Sequence, residues 1–281
     1  MRALLLAAAL TATLTAAASA QTGPNAREAY VERRGLIEID NQCRVLAPSI
    51  RDALQVGLTQ ARGSLLREGW STTQVRQLEQ SVVSAAQSRQ CNDPRSRQAV
   101  ADANRSFAAW ANAGTMQFPG WQRDWTARRA NEGWRISQTI DAPLAATFGV
   151  RQQAAAQRLT LTVPVARGAA APTSARLIMR DQSRARATEI SLPQRVAYGL
   201  AAGEAPETAQ RAIPATRSIE RLDANRSQAA FTFPDEAFRD LLALDPRETV
   251  AIEIQTGRAT QRLLVEVGDI AAARAFLTLR R

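Results

Sequence analysis

The chain has 281 residues, a net charge of +10 and 45% hydrophobic residues, enough for one large or two ordinary domains with a real core. It contains no histidine, which excludes histidine-dependent triads, Cys-His nucleophile pairs and imidazole zinc sites, and two cysteines alone cannot hold a structural zinc. It also lacks lysine, so all of its positive charge is arginine. An arginine-only, alanine-rich chain is what a high-GC genome writes, and the charge is read first as composition and solubility. The sharper reading is attraction to envelope polyanions such as anionic lipid or glycan.

Residues 1–20 read as a secretory signal peptide. Arg2 is followed by an Ala/Leu/Thr run over Ala3 to Ala17, and Ala18-Ser19-Ala20 fits the small-residue rule, placing cleavage before Gln21. The apolar run is shorter than the ~20 residues of a spanning helix. No later segment is apolar enough to cross a bilayer, so the expected product is a soluble periplasmic protein that does not span the membrane and does not meet nucleic acid. In that oxidising compartment Cys43 and Cys91 are expected to pair.

From residue 21 to 112 the sequence predicts a bundle of four helices. The first runs from Arg27 to Leu46, with Tyr30, Leu36, Ile39 and Cys43 on one face, and Pro48 is expected to stop it. Ser49 is read as the cap of the second helix, whose stripe is Ile50, Leu54, Leu58, Ala61 and Leu65. Gly69 ends it and Trp70 folds back. Ser71 and Gln74 make a capping box for the third, and Asp93-Pro94 opens the fourth. Short connections favour up-down-up-down packing. Helices one and three then end at the same pole, where Cys43 and Cys91 can meet as a structural bridge.

Residues 113–133 read as a connector rich in Trp and Arg. Phe118-Pro119-Gly120-Trp121 carries a turn signal, and Trp121, Arg123, Trp125 and Arg128 follow closely. Two readings are open. The rings wedge two domains together, or Trp121, Arg123, Trp125 and Arg128 form a partner- or ligand-facing surface, since Trp and Arg stack on flat groups and pair with anions.

The early cysteine followed by a helix pair, the Phe118 to Trp121 stretch and Trp134-Arg135-Ile136-Ser137-Gln138 together resemble a group of exported, periplasmic alphaproteobacterial proteins to which no activity is attached. The resemblance covers the helical half and the connector. It implies an address and nothing about chemistry.

Residues 134–281 predict a mainly antiparallel β domain with two short helices, so the fold class is α+β. Trp134, Ile136 and Ile140 alternate with polar residues, and so do Leu159, Leu161, Val163 and Val165. Short strands are expected at Leu177 to Met179 and Val196 to Leu200, with a long surface loop over Ala201 to Thr216. A strand at Ala230 to Phe233 precedes a helix from Pro234, a hairpin turns at Thr256-Gly257-Arg258, and Asp269 caps a last helix. One sheet carrying both helices is the expected arrangement.

Without histidine, an enzyme would rest on carboxylates, for which Asp124, Glu132 and Asp141 are the candidates in irregular segments, as the acid and base of a cell-wall glycan hydrolase. No glycine-rich phosphate loop or calcium loop is present, and no cofactor or metal is called for. The favoured expectation is a non-catalytic protein that binds an envelope protein or an anionic envelope polymer.

Overall fold

The computed structural model describes residues 25–279, apart from 132, 154–155, 186–202 and 224–225. The expected signal segment and the strand expected at Val196 to Leu200 lie outside these residues.

Four helices come first: α1 (Ala26–Cys43), α2 (Pro48–Arg67), α3 (Thr72–Gln87) and α4 (Pro94–Ala111). The α1 helix stops at Cys43 rather than Leu46 because Arg44 takes a left-handed φ of 52° and the Leu46 N–H donates to the Asp40 carboxylate at 2.8 Å. Pro48 opens α2 instead of stopping α1. Its missing N–H is harmless there, and Ala47, not Ser49, is the cap residue. At the other end of α2 the Trp70 N–H donates to the Leu65 carbonyl and the Gly69 N–H to that of Leu66, the paired pattern of a glycine-terminated helix. The Ser71/Gln74 capping box and the Asp93 cap form as expected.

The α1 helix packs on α2 and α3, and α2 on α4. One apolar cluster joins Tyr30, Leu65, Leu66 and Val75, and another joins Leu36, Ile37, Leu54 and Ala103. Cys43 and Cys91 form a disulfide across Cα atoms 5.5 Å apart.

Two antiparallel sheets follow. The larger runs in the order β1-β2-β3-β4-β5-β9-β8, built from β1 (Thr115–Phe118), β2 (Trp125–Ala130), β3 (Gly133–Ile140), β4 (Ala146–Gln153), β5 (Ala156–Val165), β9 (Ser227–Thr232) and β8 (Thr216–Arg221). The smaller runs β11-β10-β6-β7, from β6 (Ser174–Arg180), β7 (Gln210–Pro214), β10 (Thr249–Thr256) and β11 (Ala259–Glu266). Helices α5 (Asp235–Leu242) and α6 (Ile270–Leu277) complete the chain.

Three expectations are corrected here. The connector is not a connector, because β1 and β2 occupy it and pair into the large sheet. The loop expected over Ala201 to Thr216 holds a 3-10 turn, β7 and the start of β8. The single sheet is two, and one core fills the space between them. Phe148, Leu161 and Phe231 come from the large sheet, Leu177, Ile252 and Leu263 from the small one, and Phe238 and Phe276 from the helices.

The helical half is not insulated from this core, since Val56 of α2 belongs to it. Phe276 of α6 sits between the rings of Trp110 and Phe118, at centroid distances of 5.5 and 5.7 Å. Arg67 of α2 grips Asp269, at the start of α6, through two bonds of 2.7 and 2.8 Å. Gly63 makes this approach possible, because a Cβ there would strike the Asp269 carboxylate. Burial pushes the Asp269 carboxyl above its ordinary pKa, against the opposing pull of Arg67.

Candidate functional site: an arginine row across the large sheet

Strand alternation sets the two faces of the large sheet. Trp125, Ala127, Trp134, Ile136, Phe148, Val150, Leu159 and Leu161 turn into the core. Arg128, Arg135, Arg151 and Arg158 have the opposite parity on β2, β3, β4 and β5, and all four are exposed. The register aligns them. Arg128 stands opposite Arg135, Arg135 opposite Arg151, and Arg151 opposite Arg158. With neighbouring strands about 4.8 Å apart, the row spans roughly 14 Å perpendicular to the strands.

Beside it runs a second row of small and hydroxyl residues. Thr126, Ser137, Gly149, Thr160, Thr232 and Thr216 stand opposite one another across six strands. Gly149 has a structural reason to be there: a Cβ would collide with the Ile136 carbonyl on β3, so only glycine permits this close strand approach. The result is a groove of about 700 Å³ lined by Arg135, Arg151, Arg158, Ser137, Thr160 and Thr232 among others. A smaller hollow of about 310 Å³ continues it past Arg128 and Gly133. Glu220, bonded to Gln228 at 2.6 Å, marks the far edge of the groove.

Like charges set directly opposite one another on neighbouring strands repel. Among the described residues none of the four arginines forms an ion pair with a carboxylate. The small sheet shows the ordinary solution on the same molecule. There Arg176 stands opposite Glu253 and Glu253 opposite Arg262, with ion pairs of 2.5 and 2.9 Å, and Arg262 reaches on to Glu204 at 2.5 Å. A chain enriched in arginine by composition alone would be expected to use this alternation on both sheets.

The four residues expected to form a binding surface do not come together. Trp125 is fully buried, and its indole N–H donates to the carbonyls of Glu266 and Val267, both at 2.9 Å. It is a core residue because it shares the inward parity of Ala127, and a partner-facing role for it is withdrawn. Trp121 is 50% exposed on the β1–β2 loop. That loop folds around the Glu266 carboxylate, which accepts from the backbone N–H groups of Trp121 and Gln122. Arg123 is half-buried, and its guanidinium donates to the Leu264 carbonyl at 3.3 Å. Only Arg128 belongs to the row.

Arg135, Arg151 and Arg158 escaped the reading of the sequence. The alternation of β3 and β5 places Arg135 and Arg158 on polar faces, which is a usable signal. Their alignment depends on register across β4, a strand that was not expected. Of the candidate acids, Asp124 and Asp141 are exposed outside the strands, and Glu132 lies outside the described residues. Among the described residues no group of three or more Cys, Asp or Glu side chains is placed to hold a metal, and no helix is long and apolar enough to cross a membrane.

No family model, curated protein or solved structure matches the chain.

Proposed function

We propose that the protein is exported to the periplasm and binds an anionic polymer of the cell envelope along the arginine row, without catalysis. The observation that carries this reading is the row itself: four exposed guanidiniums in register, none paired with a carboxylate among the described residues. Guanidiniums pair well with carboxylate and phosphate in two-point geometry. A bound polyanion would relieve the repulsion that the fold carries, so binding and stability are linked. The export address is supported by the sequence of residues 1–20 and by the Cys43–Cys91 disulfide.

The hydrolase alternative needs two acids facing each other across a groove. Neither Asp124 nor Asp141 lines the groove described above.

The test is binding of the disulfide-bonded chain to a panel of polyanions, with neutral dextran as control, measured by calorimetry at several salt concentrations. Binding should weaken steeply with salt, and Arg135→Ala with Arg151→Ala should flatten the salt slope by about two charges. Equal binding by the double variant, or no binding to any polyanion, overturns the reading.

A further inference from the structure

We infer that the ligand is an acidic polysaccharide lying across the strands, with its carboxylates met by the arginines and its sugar hydroxyls met by the neighbouring Ser/Thr row. This inference rests on the polyanion reading above and narrows it to one class of polymer. The direction comes from the register. The charges line up perpendicular to the strands, from Arg128 through Arg135 and Arg151 to Arg158. A linear polymer that meets all four must therefore run across the sheet. Its acidic groups must recur at about the strand spacing of ~4.8 Å. An extended uronate chain carries one carboxylate per sugar at close to that step, turned to different sides of the chain and met by the long, exposed arginine side chains.

The second row supplies the rest of the argument. Ser137, Thr160 and Thr232 line the same groove as Arg135, Arg151 and Arg158. Hydroxyls both donate to and accept from the hydroxyls of a sugar, whereas a polyphosphate chain offers them acceptors alone. Single-stranded nucleic acid prefers aromatic platforms for its bases. Among the described residues the one aromatic lining these hollows is Trp134, which is 6% exposed, with the Arg274 guanidinium over its ring. A flat bilayer cannot follow a recessed groove to its floor.

The experiment compares polygalacturonate, its methyl ester, inorganic polyphosphate, single-stranded DNA and anionic phosphatidylglycerol vesicles on the full exported chain. It uses two variants: Arg135→Ala/Arg151→Ala, and Ser137→Ala/Thr160→Val/Thr232→Val, which keeps every arginine. Polygalacturonate should bind tightest and its methyl ester should lose nearly all binding. The arginine variant should weaken every polyanion about tenfold or more. The hydroxyl variant should weaken polygalacturonate several-fold and polyphosphate distinctly less. If polyphosphate, DNA or vesicles bind as tightly as polygalacturonate, or if the hydroxyl variant leaves all ligands unchanged, the polysaccharide inference fails while the polyanion reading stands. If no polyanion binds, both fail. Circular dichroism and melting of each variant establish that a loss of binding is not a loss of fold.

Discussion

Trp125 and Arg128 stand on one strand and meet opposite environments. Trp125 fills the core and satisfies its indole N–H on two carbonyls, so Trp125→Ala removes both packing and hydrogen bonds. We expect it to cost ~3–5 kcal/mol in urea unfolding. Arg128→Ala, on the exposed face, should change stability by no more than ~0.5 kcal/mol and weaken polyanion binding. A stable Trp125→Ala protein would contradict the placement of that ring. Glu38 offers a separate check. The Gln87 side chain donating to it, with Asn41 and Arg34 also bonded, holds its carboxyl below the ordinary range against the opposing effect of burial. Its folded pKa is therefore below its unfolded value of ~4.3, so its contribution is present above that pH and is lost as pH falls through the folded pKa. Glu38→Gln should be less stable than the parent near neutrality, and the gap should close in acid, measured by denaturant unfolding at stepped pH.

The disulfide works between elements. It ties the end of α1 to the segment after α3, closing a loop with a sequence separation of 48. In the chain-entropy account that is worth ~4 kcal/mol. The Cys43→Ser/Cys91→Ser protein should lose about that amount in urea unfolding, and an unchanged midpoint would show that the bridge carries no such load. The bridge and the helices were legible because helix signals are local. A capping box at Ser71, a proline after Asp93 and an apolar stripe at three- and four-residue spacing each act within one or two turns. The strands were legible where one face is apolar, as in β3, β5 and β10, or where a short apolar run is unbroken, as at Leu177 to Met179. The β8 strand is exposed along its whole length and shows no alternation. The β1 and β2 strands are short and separated by a Pro-Gly turn, which made them resemble a linker. For the candidate site, Arg128 was visible but the row was not, because cross-strand register depends on partners distant in sequence.

At the scale of the whole molecule, α6 is the piece that the two halves share. Its Phe276 contacts rings from α4 and β1, and Asp269 at its start receives Arg67 from α2. The Arg67–Asp269 pair is almost completely buried, with side-chain exposures of 10% and 1%. Two effects then compete. The bidentate geometry is favourable, but taking both charges out of water is costly, and the raised pKa of Asp269 shows burial winning over Arg67 at that carboxyl. The pair should therefore fix how the helices seat on the sheet more than it stabilises the fold. Arg67→Met or Asp269→Leu alone would leave one charge buried without its partner, and each should cost ~3–5 kcal/mol. The double variant Arg67→Met/Asp269→Leu should recover most of that loss, since an apolar pair needs no solvation. A double-mutant cycle by urea unfolding measures this directly. Additive losses in the double variant would show that the two residues act independently and that the contact between the halves rests on the aromatic packing around Phe276 instead.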